Sequence, residues 1–159
     1  MRTGPAVKVK AARLSVVTSA SNRKVRGGER IRLFLEASLP SKMHVYAPGV
    51  IGYIPIAWEL EPSEAVELTP ITYPPSRSLH LKAINETVPV YEKTFTLRRD
   101  IIFKQKNPTA VEIKGTFRYQ ACDETKCYVP ETVPLSWGFQ FEPHDSARVP
   151  EKLRRKTQP

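Results

Sequence analysis

Apolar residues that alternate with a period of two, the lack of any long run with the 3.6-residue helical period, and fifteen prolines placed among turn residues predict an all-β chain. The economical architecture is an immunoglobulin-like antiparallel β-sandwich of about seven or eight short strands. VKVKAARLSVV (7–17) is a candidate first strand. RIRLFLEA (30–37) places Ile31, Leu33, Leu35 and Ala37 on one face. IAWELEP (56–62), AVELTP (65–70) and YEKTFTLRRDIIF (91–103) are further candidates. AVEIKGTFRYQA (110–121) aligns Val111, Ile113, Gly115, Phe117, Tyr119 and Ala121 on one face, and TVPLSWGFQF (132–141) aligns Val133, Leu135, Trp137, Phe139 and Phe141. These last two should pair as a hairpin. LPSK, YPPS and QKNPT punctuate the strands, because proline cannot donate to a ladder and presets a turn dihedral.

With 159 residues the chain suits one domain and can bury a core without a covalent staple. No internal repeat or low-complexity block is seen. A basic segment over 1–29 with a possible first strand, a sandwich over 30–143 and a basic tail or linker over 144–159 are expected. The net charge is +9, but residues 1–33 hold nine Lys/Arg against one acid and residues 148–159 hold five against one, so the middle is net acidic. Two basic flanks do not make a nucleic-acid-binding face, and no nucleic acid partner is expected. The longest apolar stretch, VIGYIPIAW (50–58), is broken by Gly52 and Pro55 and falls far short of the roughly 20 residues of a membrane helix. MRTGPAVKVKAARL lacks the apolar core of a signal peptide, so none is read in this chain.

YQACDETKCYVPET (119–132) holds both cysteines, Cys122 and Cys127. A disulfide tying the two layers of an immunoglobulin domain needs cysteines far apart in sequence, which these are not. A local staple across so short a loop would contribute only about 2 kcal/mol, and a strained, exposed bond of that kind exchanges readily, which gives weight to redox chemistry. Parity sets Cys122 opposite Phe117, Tyr119 and Ala121, hence near the surface. His44, His80 and His144 are scattered without ligand spacing, so neither a metal nor any other cofactor is expected. No His, Asn or Asp stands by either cysteine in the pattern of a thiol hydrolase.

FRYQACDETKCYVPETVPLSW, with YQ-x-C, a four-residue gap, C-aromatic-x-P-E and a following V-P-L strand, resembles the cysteine hairpin of the amino-terminal periplasmic domain of DsbD-type thiol:disulfide interchange proteins. KMHVYAPG is similar to that family's tyrosine-bearing strand, and LHLKAINETVPVYEKTFTL to its cap loop and following strand. The resemblance spans about residues 30 to 141.

What it implies is an immunoglobulin-like thiol:disulfide oxidoreductase domain, part of a larger transporter. Such a domain passes two electrons to extracytoplasmic thioredoxin-fold partners that isomerise disulfides or mature c-type cytochromes. By position Cys127 forms the mixed disulfide and Cys122 resolves it. Lys126 favours a Cys127 thiolate, whereas Asp123 and Glu124 oppose it. The cap maps onto Ile84 and Asn85, with no aromatic residue in LKAINETVP. Tyr46, with His44 two residues away, would lie beside the pair. Tyr128 and Pro130 would form a docking rim, and Tyr119 is either rim or core. A periplasmic monomer that meets a membrane only through parts outside this chain is implied. The competing reading is a noncatalytic interaction domain with a local structural disulfide.

Overall fold

A computed structural model describes residues 6–82, 84–105 and 110–142. The predicted tail 144–159 and His144 lie outside the described residues. Strands run in order as β1 (Val7–Lys10), β2 (Ser15–Ala20), β3 (Lys24–Arg26), β4 (Arg30–Ser38), β5 (His44–Tyr46), β6 (Ala57–Leu60) and β7 (Val66–Leu68). After these come β8 (Arg77–Leu81), β9 (Glu86–Glu92), β10 (Thr94–Phe103), β11 (Ala110–Tyr119), β12 (Ala121–Cys122) and β13 (Glu131–Glu142). No helix occurs among the described residues, so the fold is all-β and immunoglobulin-like.

Two sheets form the sandwich, ordered β1-β2-β4-β10-β7 and β3-β13-β11-β6. Pairing is antiparallel except for β13 and β3, which run parallel where Gln140–Glu142 meet Lys24–Arg26. The expected hairpin forms, with Val111 opposite Phe139 and Phe117 opposite Val133. Its alternation has a direct cause. Val111, Ile113, Phe117 and Tyr119 all turn inward to meet Ile31, Leu33, Leu35, Leu97 and Ile101 from the other sheet. Each such side chain contributes about 1.5–3 kcal/mol by leaving water. Trp58 and Trp137 lie 5.5 Å apart in this core, and the Trp137 Nε1–H donates to the Ser19 carbonyl.

Residues 7–26, expected as a basic flank with one possible strand, supply three strands, and Leu14, Val16, Ala20 and Val25 are buried in the main core. The lysines and arginines interleaved there hid the apolar positions. A second difference is a third sheet, ordered β12-β5-β9-β8, where two sheets were expected. It arises because two long strands cross from one sheet to another. A single residue, Lys93 at φ 59°, separates β9 from β10, and Gln120 alone separates β11 from β12. The parity that faces the main core carries through each break, and what changes is that the opposite face becomes buried as well. Phe95, Leu97, Ile101 and Phe103 of β10 face the main core, as does Tyr91, whereas Val88 and Val90 face the other way.

Around β5, β12 and the later part of β9 the third sheet is therefore buried on both faces. Val45, Tyr91 and Ala121 join the sandwich core on one side. On the other, Tyr46, Val88, Val90 and Cys122 form a separate apolar cluster covered by Val50, Tyr53, Leu79 and Leu81.

Candidate functional site

Cys122 and Cys127 face each other as an antiparallel bridge and are joined by a disulfide, with Cα atoms 3.9 Å apart. They occupy the close position of an antiparallel ladder, between hydrogen bonds from Asp123 N–H to the Lys126 carbonyl and from Tyr128 N–H to the Ala121 carbonyl. Asp123 organises the intervening turn. Its Oδ1 accepts from the Thr125 and Lys126 amides at 2.8 Å each and from the Thr125 hydroxyl, and its Oδ2 accepts from the Tyr128 hydroxyl at 2.9 Å. Those donors, the Thr125 amide foremost, hold the Asp123 carboxyl well below the usual carboxylate range.

The two sulfurs stand in different surroundings. Cys122 is 1% exposed, so the expectation that it lies near the surface is corrected. Parity did turn it away from Ala121, but that face of the third sheet is covered by the second apolar cluster and is closed to solvent. Cys127, across the bridge, is exposed. Tyr46 is buried beneath the pair, with its hydroxyl 3.7 Å from the Cys127 sulfur. Burial, with Tyr53 alongside, pushes the Tyr46 phenol up to about 12. His44, on the same strand, lies opposite Cys122 in the ladder, and its Nε2 is 3.4 Å from the Tyr46 hydroxyl.

The remaining expected residues separate. Tyr128 is half-buried, with the Arg13 guanidinium 3.8 Å and the Lys126 ammonium 4.9 Å from its ring centre. Pro130 is half-buried on the same side of the turn. Tyr119 is a core residue, not rim: its hydroxyl donates to Glu131 and accepts from the Arg13 amide. Ile84, 51% exposed, and Asn85, at φ 53°, sit in the turn between β8 and β9. His80 lies on β8, its Nδ1 near the Thr87 hydroxyl, apart from the cysteine cluster.

Sequence reasoning missed Tyr53, whose ring stacks on Tyr46 at 4.6 Å, and the exposed Ile51 and Val129, 88% and 85% accessible. One signal was available for Tyr53. An aromatic residue between Gly52, at φ 88°, and Pro55 marks a loop held in one shape, and such a loop can lay a ring over a neighbouring strand. Arg13 was also missed, because nothing local connects it to a turn more than a hundred positions away.

The family described as "Thiol:disulfide interchange protein DsbD, N-terminal" matches residues 11–135. Comparison with curated proteins finds no match. Among solved structures, the N-terminal periplasmic domain of ScsB from Proteus mirabilis aligns with a TM-score of 0.58 at 12% identity, over 94% of this chain and 57% of that one. The chain thus spans little more than half of that structure, and at this identity the likeness is one of fold. The reduced N-terminal domain of Neisseria meningitidis DsbD aligns with a TM-score of 0.47 at 14% identity, over 68% of this chain and 77% of the other.

Proposed function

Because the chain belongs to the family of N-terminal domains of thiol:disulfide interchange protein DsbD, we propose that it is a relay passing two electrons through Cys122 and Cys127 to extracytoplasmic thioredoxin-fold proteins. The observation that carries this reading is the asymmetry of the disulfide, one sulfur sealed in the apolar cluster of Tyr46, Val88 and Val90 and the other open to solvent. Exchange needs an approach to one sulfur and protection of the second until a partner has docked.

In the reduced domain the Cys127 thiolate attacks one sulfur of the partner's disulfide. The partner's second sulfur leaves as a thiolate, and a mixed disulfide forms. Cys122, deprotonated, then attacks the Cys127 sulfur. The mixed disulfide breaks, the domain is left oxidised and the partner holds two thiols, their protons drawn from the two cysteines. Two electrons have moved and no other oxidant is required.

Tyr128, Pro130 and the exposed Val129 and Ile51 form the apolar rim on which a partner settles, with Tyr46 at its floor. The hairpin of β8 and β9, with Ile84 and Asn85 at its tip and Leu79 and Leu81 against the cluster, acts as the cap. Tyr53 supplies the aromatic cover that the cap sequence lacks. The domain works as a periplasmic monomer within a larger transporter, serving disulfide isomerisation or cytochrome c maturation.

Trapping tests the roles. Cys122→Ser should accumulate a mixed disulfide with a thioredoxin-fold partner while Cys127→Ser does not, and the reverse pattern would overturn the assignment. The reduction potential separates this reading from a noncatalytic interaction domain. A value of roughly −270 to −120 mV fits a relay, and one below about −300 mV marks a structural bond.

A further inference from the structure

His44 is the buried ionisable side chain that the exchange steps leave unused. It is 7% exposed, in a part of the third sheet that borders both cysteines. Its Nε2 lies 3.4 Å from the Tyr46 hydroxyl, and that hydroxyl lies 3.7 Å from the Cys127 sulfur. The three groups form an unbroken line from the exposed sulfur to a buried base.

We propose that His44 is a positioning and proton-accepting residue acting through Tyr46, so that the Cys127 thiol of the reduced domain loses its proton into the fold as it attacks. The inference rests on the relay function proposed above. The Cys127 S–H proton passes to the Tyr46 oxygen while the Tyr46 proton passes to Nε2 of a neutral imidazole carrying its own proton on Nδ1. Cys127 becomes a thiolate, Tyr46 is unchanged and His44 becomes an imidazolium. The proton later returns along the same line or leaves to water.

Several features support the direction of transfer. Burial, the largest influence, lowers the His44 pKa, which keeps the ring neutral at neutral pH and lets it hold a proton only transiently. The groups that face it favour a transient positive charge. Glu92 is its cross-strand neighbour on β9, and the Asp123 carboxylate lies beyond Cys122. Arg77 of β8 opposes the charge but is paired with Glu92. Tyr46 is a poor net source of protons, because burial and Tyr53 raise its phenol, so it gives up its proton only as it receives one and serves as a bridge. The edge-on packing of the two rings, 5.2 Å between centres, keeps Nε2 directed at the hydroxyl.

The test is the rate at which iodoacetamide alkylates Cys127 in the reduced protein from about pH 5 to about pH 10, followed by mass mapping, which needs no partner protein. The wild type should show two rises, one as His44 loses its charge below the usual histidine range and one as the thiol itself ionises. Tyr46→Phe keeps the ring and removes the bridge. His44→Gln keeps a hydrogen-bonding partner and removes the base. Each should abolish the lower rise and slow alkylation about tenfold near neutrality, and the double variant should be no slower than either single one, as serial steps require. A wild-type profile in His44→Gln, or effects that add in the double variant, would overturn the proposal. A two-rise profile in a domain that exchanges with no thioredoxin-fold protein would leave the proton path standing and remove the relay function. Exchange with a single-rise profile would do the opposite.

Discussion

Reducing the Cys122–Cys127 bond should cost the domain about 2 kcal/mol and leave it folded. The bond spans a sequence separation of 5. For a loop of about six residues, chain entropy gives roughly 7 cal/mol/K, or about 2 kcal/mol at 25 °C. Little else should be lost with the bond. The turn retains its hydrogen bonds from Asp123 N–H to Lys126 and from Tyr128 N–H to Ala121, and the Asp123 carboxylate retains its donors. For a domain of this size the loss corresponds to a fall in Tm of roughly 4–8 °C. Urea unfolding with and without dithiothreitol, followed by the fluorescence of the buried Trp58 and Trp137, measures it. A loss above about 4 kcal/mol, or unfolding on reduction alone, would mean that the bond holds the fold together, and the argument for an exchangeable pair would fail.

Two glycines in the sandwich should respond in opposite ways. A methyl at Gly115 would stand 2.4 Å from the Glu59 carbonyl oxygen and 2.7 Å from Leu60 Cδ2, so Gly115→Ala should cost about 1–3 kcal/mol or more in urea unfolding. Gly138 meets nothing within 4 Å, and Gly138→Ala should be neutral or stabilise by about 0.5–1 kcal/mol. Asp100 bonds Arg30 at 2.7 Å and Arg32 at 3.0 Å, and although partial burial opposes its charge, the Arg32 and Arg30 hydrogen bonds hold its pKa below the usual value. Its contribution is therefore present above the ordinary carboxylate pKa and lost as pH falls through the lowered folded value, so Asp100→Asn should flatten the acid limb of a stability profile. Tyr53→Ala removes the ring stacked on Tyr46, and stopped-flow reduction by dithiothreitol should become faster; an unchanged rate would show that the disulfide is not shielded there.

How far the sequence could be read follows from which signals are local. The alternation of β4, β11 and β13 is local, because each strand packs one face against the main core, and their inward residues are buried there except Phe141, which is partly so, while Phe34 is buried on the other face of β4. The cysteine spacing and the tyrosine two positions after His44 are local as well. The corners are not. Lys93 takes a left-handed conformation without being glycine, and Gln120 carries no mark of a break, so the passages from one sheet to the next that create the third sheet have no sequence signature. The error about Cys122 follows directly, since a side chain opposite the core was taken to face water. Contacts such as Arg13 on Tyr128 and Tyr53 on Tyr46 are products of tertiary approach. They become visible only once β2, β5 and the turn between the cysteines are assembled.

The short pairings inside the third sheet bear on how the domain breathes. Two residue pairs join β12 to β5 and three join β5 to β9, while β4 and β10 are matched over nine. Amide protons around the cysteines should exchange with solvent by sub-global openings that leave the sandwich intact, at free energies well below that of unfolding.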